Sequence, residues 1–270
     1  MEKQERINLA IRSVVTGLMD RVMNKVTVID PFIKENHRLN KPLYAALVPD
    51  EIFKGSHFER RFVTPFGGVW EKLAVVVARE FHGHCEMGHR ISGTVGKESL
   101  RRIQETLVRL EHPEKGAVRT KPDWDAEMKY IRAGGGQPIP VDVVCDIYIE
   151  SKETGLRYAY FVRSEMPDNL QARASKEKML NLMAISPLPE DRVFFALPCN
   201  SIGKYGDSAS APLAKWFGKQ EDASVIIGSE FWDLIGGEGT YADLIREVDL
   251  HGKAYRVRIC TEFLGMAIPG

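Results

Sequence analysis

The sequence has few of the features that mark secreted or membrane proteins. Only four cysteines occur in 270 residues, at positions 85, 145, 199 and 260, and no two form a CxxC pair. Such scattered cysteines indicate reduced thiols and argue against a disulfide framework. No run of about 18 apolar residues is present, and charges recur throughout the N-terminal segment, so we expect neither a membrane span nor a signal peptide. The expected location is the cytoplasm.

The sequence also lacks an excess of either charge, because 37 Lys and Arg residues balance 37 Asp and Glu residues. This balance argues against a protein whose whole surface binds nucleic acid. The charges are nevertheless segregated: residues 1–140 contain 23 basic and 18 acidic residues, and residues 141–270 contain 14 and 19. This distribution allows a basic surface for a polyanion beside an acidic cluster for a metal ion, although solvated faces give similar counts.

Hydrophobic periodicity predicts helices in the first half of the chain and strands in the second. Apolar residues recur at helical spacing over Lys3–Lys25, Val69–Phe81, Lys97–Leu110 and Trp124–Arg132, whereas Pro31–Pro49 is typical of a loop. The period becomes about two from Pro140 onward. No internal repeat or linker divides the chain. We therefore expect a single α/β domain over 1–270, with a mainly helical part (1–135) and a sheet core with C-terminal helices (136–270).

A predicted β-hairpin gives the most specific geometric expectation. Its strands are Pro140–Glu150 and Leu156–Ser164, and the turn is centred on residues 153 and 154. Paired residue numbers then sum to about 307, which places Asp146 opposite Phe161 and Asp142 opposite Glu165. Neighbours on one face lie roughly 5 Å apart, so carboxylates there could share a divalent cation. They could equally be solvent-facing charges.

Several segments together resemble one family. The segments are PFIKENHRLNKPLYAALVPDEIFKGSHFERRFVT, GHRISGTVGKESLRRIQETL, VDVVCDIYIESKETGLRYAY, SKEKML, FFALPCNSIGKYG and VIIGSEFWDLIGGEGTY. They resemble type II restriction endonucleases of the PD-(D/E)xK superfamily, in the subgroup that cuts GGNCC-like sites. The resemblance implies a central mixed sheet flanked by helices on both faces, and site-specific hydrolysis of duplex DNA with Mg²⁺.

The resemblance also implies a catalytic Asp on one strand and a Glu-x-Lys on the next, which bind the metal and position water. The Asp matches Asp146. The Glu and Lys positions are Phe161 and Arg163 in this chain. Phenylalanine cannot bind a hard cation, and arginine keeps a positive charge but cannot release a proton.

Two other arrangements of a metal site are open. Glu71 matches a position where the superfamily often offers a further acid, which makes Asp146 and Glu71 the expected metal ligands. Alternatively, the site has moved one rung along the hairpin to Asp142 and Glu165. His82, His84, Cys85 and His89 could bind zinc, but their spacing does not fit the usual zinc motifs.

The expected partner is duplex DNA, bound at a short palindromic site by a homodimer. Basic residues are the first candidates for contact with guanine or phosphate, and the resemblance adds polar residues from two further segments. The candidates are Arg60, Arg61, Arg101, Arg102, Gln171, Lys176, Lys178, Asn200, Lys204 and Tyr205. The leading expectation is a Mg²⁺-dependent endonuclease; the alternatives are a catalytically silent DNA-binding homologue or passive subunit, because of Phe161 and Arg163, and an interaction protein that has lost DNA binding.

Overall fold

A computed structural model describes residues 2–111, 121–187, 191–199, 212–218 and 224–266 of the chain. Two compact units are present, one formed by residues 1–77 and 241–270 and the other by residues 78–240. We call them the helical unit and the sheet unit. The expectation that the chain is one domain stays a prediction.

The helical unit is built from amphipathic helices, several of which carry clear apolar stripes. Its helices are α1 (Lys3–Asn24), α2 (Lys34–Asn40), α3 (Pro42–Leu47), α4 (Asp50–Phe66), the first part of α5 (Val69–His82) and most of α11 (Thr240–Arg258), and π-helical turns follow α1 (Lys25–Ile29) and α11 (Ile259–Leu264). In α1 the buried residues recur every three or four positions, as the sequence predicts. The sequence did not predict α2, α3 and α4.

The sheet unit contains seven strands and five helices in its described residues, besides the end of α5. The strands are β1 (Gly83–Met87), β2 (Arg90–Gly96), β3 (Pro138–Val144), β4 (Ile147–Ser151), β5 (Arg157–Val162), β6 (Arg192–Leu197) and β7 (Val225–Ile227). The helices are α6 (Lys97–Glu111), α7 (Trp124–Arg132), α8 (Asn169–Ala184), α9 (Pro212–Phe217) and α10 (Ser229–Gly236).

The central sheet is mixed and has the strand order β1-β4-β5-β6-β7. β1, β4 and β5 pair antiparallel, whereas β5, β6 and β7 pair parallel. Side chains of α6, α8 and α9 join the apolar core on one face, and Phe231 of α10 contacts Tyr160 of β5 on the other. The expected mixed sheet with helices on both faces is therefore confirmed.

The predicted hairpin forms in the expected register, but its first strand is interrupted. β4 and β5 pair Ile147 with Tyr160 and Glu150 with Arg157, so residue numbers sum to 307. β3, however, pairs with β2 in a separate two-stranded sheet. The chain changes sheets at Cys145 and Asp146. The Cys145 amide donates to the carbonyl of His89, next to β2, and the Asp146 amide donates to the carbonyl of Tyr160 in β5. The prediction of one continuous strand from residue 140 to 150 is wrong.

Candidate active site

Asp146 lies at the point where the chain enters the central sheet. Its backbone amide donates to the Tyr160 carbonyl at 3.0 Å, which fixes the residue beside the end of β5. Its Oδ2 accepts a 2.8 Å hydrogen bond from the Val162 amide and lies 3.3 Å from Nη1 of Arg163. One carboxylate oxygen of Asp146 therefore already has two donors.

Arg163 follows the last residue of β5 and is held by three elements. Its amide donates to the Ala196 carbonyl of β6 at 2.9 Å. Nη1 also donates to the Val162 carbonyl at 2.7 Å, and Nη2 lies 3.3 Å from Oγ of Ser175, a fully buried residue of α8. The side chains of Arg163 and Asp146 remain 29% and 33% exposed, so solvent and ligands can reach the pair. No sequence pattern pointed to Ser175.

Phe161, which the resemblance places at the position of the superfamily's glutamate, is a core residue. Its side chain has no exposed surface and belongs to the apolar cluster with Ala159 and Phe195. An aromatic ring offers no lone pair to a hard cation such as Mg²⁺. The position that the resemblance assigns to a second metal carboxylate therefore contributes packing.

The displaced metal site at Asp142 and Glu165 depends on a strand pairing that does not form. Asp142 lies in β3 opposite Ser92 and makes a 3.1 Å ion pair with Arg90. A hydrogen bond from Ser92 and the charge of Arg90 lower the pKa of the Asp142 carboxyl. Glu165 lies beyond the end of β5 and is exposed. The expected cross-strand pair is wrong, because the sheet change at residue 145 removes Asp142 from the ladder that contains β5.

Glu71 belongs to the helical unit, in the first turn of α5. Its Oε2 is buried and has no hydrogen-bond partner within the described residues. No group of three His, Cys, Asp or Glu side chains suited to a metal ion occurs in the described parts of the chain. The assignment of Glu71 as a metal ligand therefore stays a prediction.

The histidine-rich segment has its own hydrogen-bonding pattern. The two carboxylate oxygens of Glu86 each contact one histidine. Oε1 lies 3.1 Å from Nε2 of His84, and Oε2 lies 2.6 Å from Nδ1 of His89. The hydrogen bond from His89 is the largest of the effects that lower the pKa of Glu86. His82 bonds to the Leu234 carbonyl at 3.3 Å, and Cys85 is buried in β1. His84 and His89 thus share the carboxylate of Glu86, whereas His82 and Cys85 lie in other environments.

Among the predicted DNA contacts that lie in the described residues, Lys176 is contradicted by the structure. Its side chain has no exposed surface, and its Nζ lies 2.6 Å from Oε2 of Glu127. The ammonium also lies over the rings of Trp124 and Phe217, at 4.8 and 5.2 Å. Lys176 is therefore packed in the core of the sheet unit and cannot reach DNA, so the prediction of a DNA contact is wrong.

The other predicted contacts fall into three groups. Arg60, Gln171 and Lys178 are exposed, although Gln171 also completes the capping box of α8 with Asp168. Three arginines form ion pairs within the protein. Arg61 pairs with Asp30, Arg101 pairs with Glu98 and Glu105, and Arg102 pairs with Glu98. Asn200, Lys204 and Tyr205 lie outside the described residues.

A mixed sheet flanked by helices, with an aspartate at the entry to its antiparallel hairpin, is the architecture expected of a restriction-endonuclease-like protein. The family described as type II restriction endonuclease, HinfI, matches residues 7–249. The chain belongs to this family.

Individual relatives are similar over most of their length. The type II restriction enzyme HgiCII of Herpetosiphon aurantiacus is 26% identical over 78% of this chain and 78% of its own. HgiBI and HgiEI, type II restriction enzymes of the same organism, are 24% and 22% identical, over 83% and 97% of this chain and 81% and 96% of their own. Among the described helices, none combines the length and the hydropathy that a membrane span needs.

Proposed function

We propose that this chain is a PD-(D/E)xK-type protein that binds a short palindromic site in duplex DNA as a homodimer and does not cleave it by the usual metal-assisted route. Its membership of the type II restriction endonuclease family supports the DNA substrate. One observation carries the second half of the proposal: Phe161, in the place of the metal-binding glutamate, is buried in the core of the sheet unit.

The groups around Asp146 do not fit Mg²⁺. This ion prefers near-octahedral oxygen coordination, with one or two carboxylates and several waters. Here one oxygen of Asp146 accepts hydrogen bonds from the Val162 amide and Arg163. A guanidinium remains charged at any physiological pH, so it would also repel a divalent cation at this carboxylate.

Arg163 suits contact with a phosphate without a metal ion. Three of its N–H groups are used by Asp146, Val162 and Ser175. The guanidinium has five in all, and the other two have no acceptor among the described residues. An arginine that is anchored on one side can present its free N–H groups to a phosphate oxygen.

Duplex binding is tested by the fluorescence anisotropy of a labelled DNA duplex, titrated with the full chain in EDTA and in Mg²⁺. We expect salt-dependent binding of similar affinity in both buffers. Arg163→Gln should weaken binding and lower the salt slope by about one, whereas Arg163→Lys should retain the slope. Absence of duplex affinity at low salt would overturn the proposal and favour an interaction protein.

A second candidate function is Mg²⁺-dependent cleavage of DNA in which Glu71 binds the metal ion. The unpartnered, buried Oε2 of Glu71 favours it, because a buried carboxylate oxygen without a donor is costly unless a cation or water satisfies it. This function predicts that the wild-type protein cuts and that Glu71→Gln abolishes cutting. Glu59→Gln, on the exposed surface of α4, is the control and should have no effect.

A gain-of-function variant tests whether an ancestral metal site was lost through the substitutions at residues 161 and 163. Phe161→Glu combined with Arg163→Lys restores the residue types of the superfamily. A carboxylate at this buried position costs stability, so folding is checked first by circular dichroism. The folded variant should nick DNA in Mg²⁺, whereas Phe161→Gln with Arg163→Lys, which lacks the new carboxylate, should not. A folded variant that carries the glutamate and still does not cut would contradict simple loss of the site.

A further inference from the structure

The helical unit carries an apolar surface that its own core does not use. This surface lies on residues 33–52, which form α2, α3 and the first turn of α4, and which we call the arm. Neither α2 nor α3 contributes a buried residue. Six large apolar side chains of the arm are exposed instead, five of them between 62% and 83%: Ile33, Leu39, Leu43, Tyr44, Leu47 and Ile52.

The arm is an ordered element tied to α4. Arg38 of α2 makes a 2.7 Å ion pair with Asp50, whose side chain is buried, and Lys34 lies 3.6 Å from Glu51. The ring of His37 packs on Phe53 with a centroid distance of 4.1 Å. These contacts fix one side of α2 against α4. On α3, Leu43 and Leu47 are four residues apart and share a face.

We propose that the arm is the surface through which two copies of this chain associate. The inference rests on the proposed homodimer and assigns its location. A two-fold contact places the same patch on both copies, so six side chains per copy become twelve in the interface. With on the order of 100 Å² of apolar surface per side chain, they bury roughly 1,200 Å² in total, which is the lower end of the range for a specific interface.

The charges of the arm also favour a second copy over DNA. Lys34 and Arg38 are paired with carboxylates of the same chain, so they do not leave the patch with an unbalanced charge that would repel an identical surface. The same pairing withdraws them from phosphate contact. Six exposed large apolar side chains within twenty residues are more than a protein that remains monomeric usually carries in one segment.

Sedimentation velocity of the full chain without DNA tests the proposal. At micromolar concentration, the molar mass obtained for the wild-type protein should be twice the 30.4 kDa of one chain. Leu43→Glu with Leu47→Glu should weaken self-association by at least about 100-fold, because charges placed at the centre of an interface lose their hydration. The matched control is Leu9→Glu with Leu250→Glu, which adds the same charge at exposed leucines of α1 and α11 and should remain dimeric.

Folding of the variant is checked by circular dichroism, and it should be retained because neither leucine is buried. If the glutamate variant does not fold, Leu43→Ala with Leu47→Ala removes apolar surface without adding charge and should weaken association at least tenfold. A monomeric wild-type protein would overturn the inference, as would an arm variant that dimerises like the wild type. Duplex binding by these proteins is measured separately, so a failure to dimerise through the arm is distinguished from a failure to bind DNA.

Discussion

The guanidinium of Arg163 lies 3.3 Å from the carboxylate of Asp146, at the oxygen that also accepts the Val162 amide. The ion pair joins the point where the chain enters the central sheet to the end of β5. In the superfamily that this chain resembles, this part of the hairpin serves a metal ion. Here a side-chain cation of the protein itself neutralises the aspartate.

The packing of Phe161 predicts a large loss of stability on truncation. Phe161→Ala should lower the free energy of unfolding of the sheet unit by about 3–5 kcal/mol, because it leaves a cavity in the core. Phe161→Leu, which fills most of the volume, should cost less than about 1.5 kcal/mol. Urea unfolding monitored by near-ultraviolet circular dichroism measures both. A control, Leu170→Ala, changes an exposed leucine and should be nearly neutral; an equally mild Phe161→Ala would refute the assignment of Phe161 to the core.

Lys176 and Lys178, two residues apart on α8, should behave in opposite ways. Lys178 is exposed, so Lys178→Gln should weaken duplex binding modestly and leave stability unchanged. Lys176→Met should leave duplex affinity unchanged but destabilise the fold by about 3–5 kcal/mol, since Glu127 loses its counterion in a buried site.

The double variant Lys176→Met with Glu127→Leu removes both charges and should recover most of the lost stability. Anisotropy titrations and urea unfolding on the same preparations give the two readouts. Weaker DNA binding by a folded Lys176→Met protein would contradict the buried position of this side chain.

The cysteines should differ in reactivity. Burial raises the pKa of the Cys85 thiol to about 12, and Cys145 is also buried. Burial followed by the charge of Glu165 raises the pKa of Cys199 to about 11. Because the thiolate is the reactive form, iodoacetamide at pH 8 should label Cys199 slowly, and should label Cys85 and Cys145 only after unfolding. Peptide mass spectrometry measures the order, and early labelling of Cys85 would show that β1 is accessible.

Glu98 predicts a pH-dependent contribution to stability at the start of α6. Hydrogen bonds from Arg101 and then Arg102 lower the pKa of this carboxyl to about 2. Because the pKa of Glu98 is lower in the folded state, its ion pairs stabilise the fold fully at pH values above the pKa of glutamate in the unfolded chain, about 4.3. This stabilisation is lost as the pH falls toward 2.

Glu98→Gln should therefore be less stable than the wild type at pH 7, with a difference that shrinks between about pH 4 and pH 2. The control Glu59→Gln changes an exposed glutamate for which no ion pair is seen among the described residues, and it should give no such trend. Urea unfolding at stepped pH values is the measurement. A difference that stays constant down to pH 2 would contradict the role of Glu98.

The register of the hairpin and most helices follow from local pattern, whereas the details of the site depend on distant partners. The turn after Ser151 sets the register that pairs Ile147 with Tyr160, so the sequence predicts it. The change of sheet at Cys145 arises because β3 pairs with β2, about fifty residues earlier, and the loop-like GHCEMGHRISG segment gave no sign of these strands. The burial of Lys176 likewise depends on Glu127, which is remote in sequence.

We infer from Phe161 and Arg163 that the site around Asp146 does not bind a metal ion that catalyses hydrolysis. Supercoiled plasmids that together contain many sites of the GGNCC type, incubated with excess wild-type protein in Mg²⁺ or Mn²⁺ and analysed on an agarose gel, test it most directly. We expect the plasmids to remain supercoiled, although the protein binds duplex DNA under the same conditions. Discrete linear fragments that disappear with Asp146→Asn would contradict it.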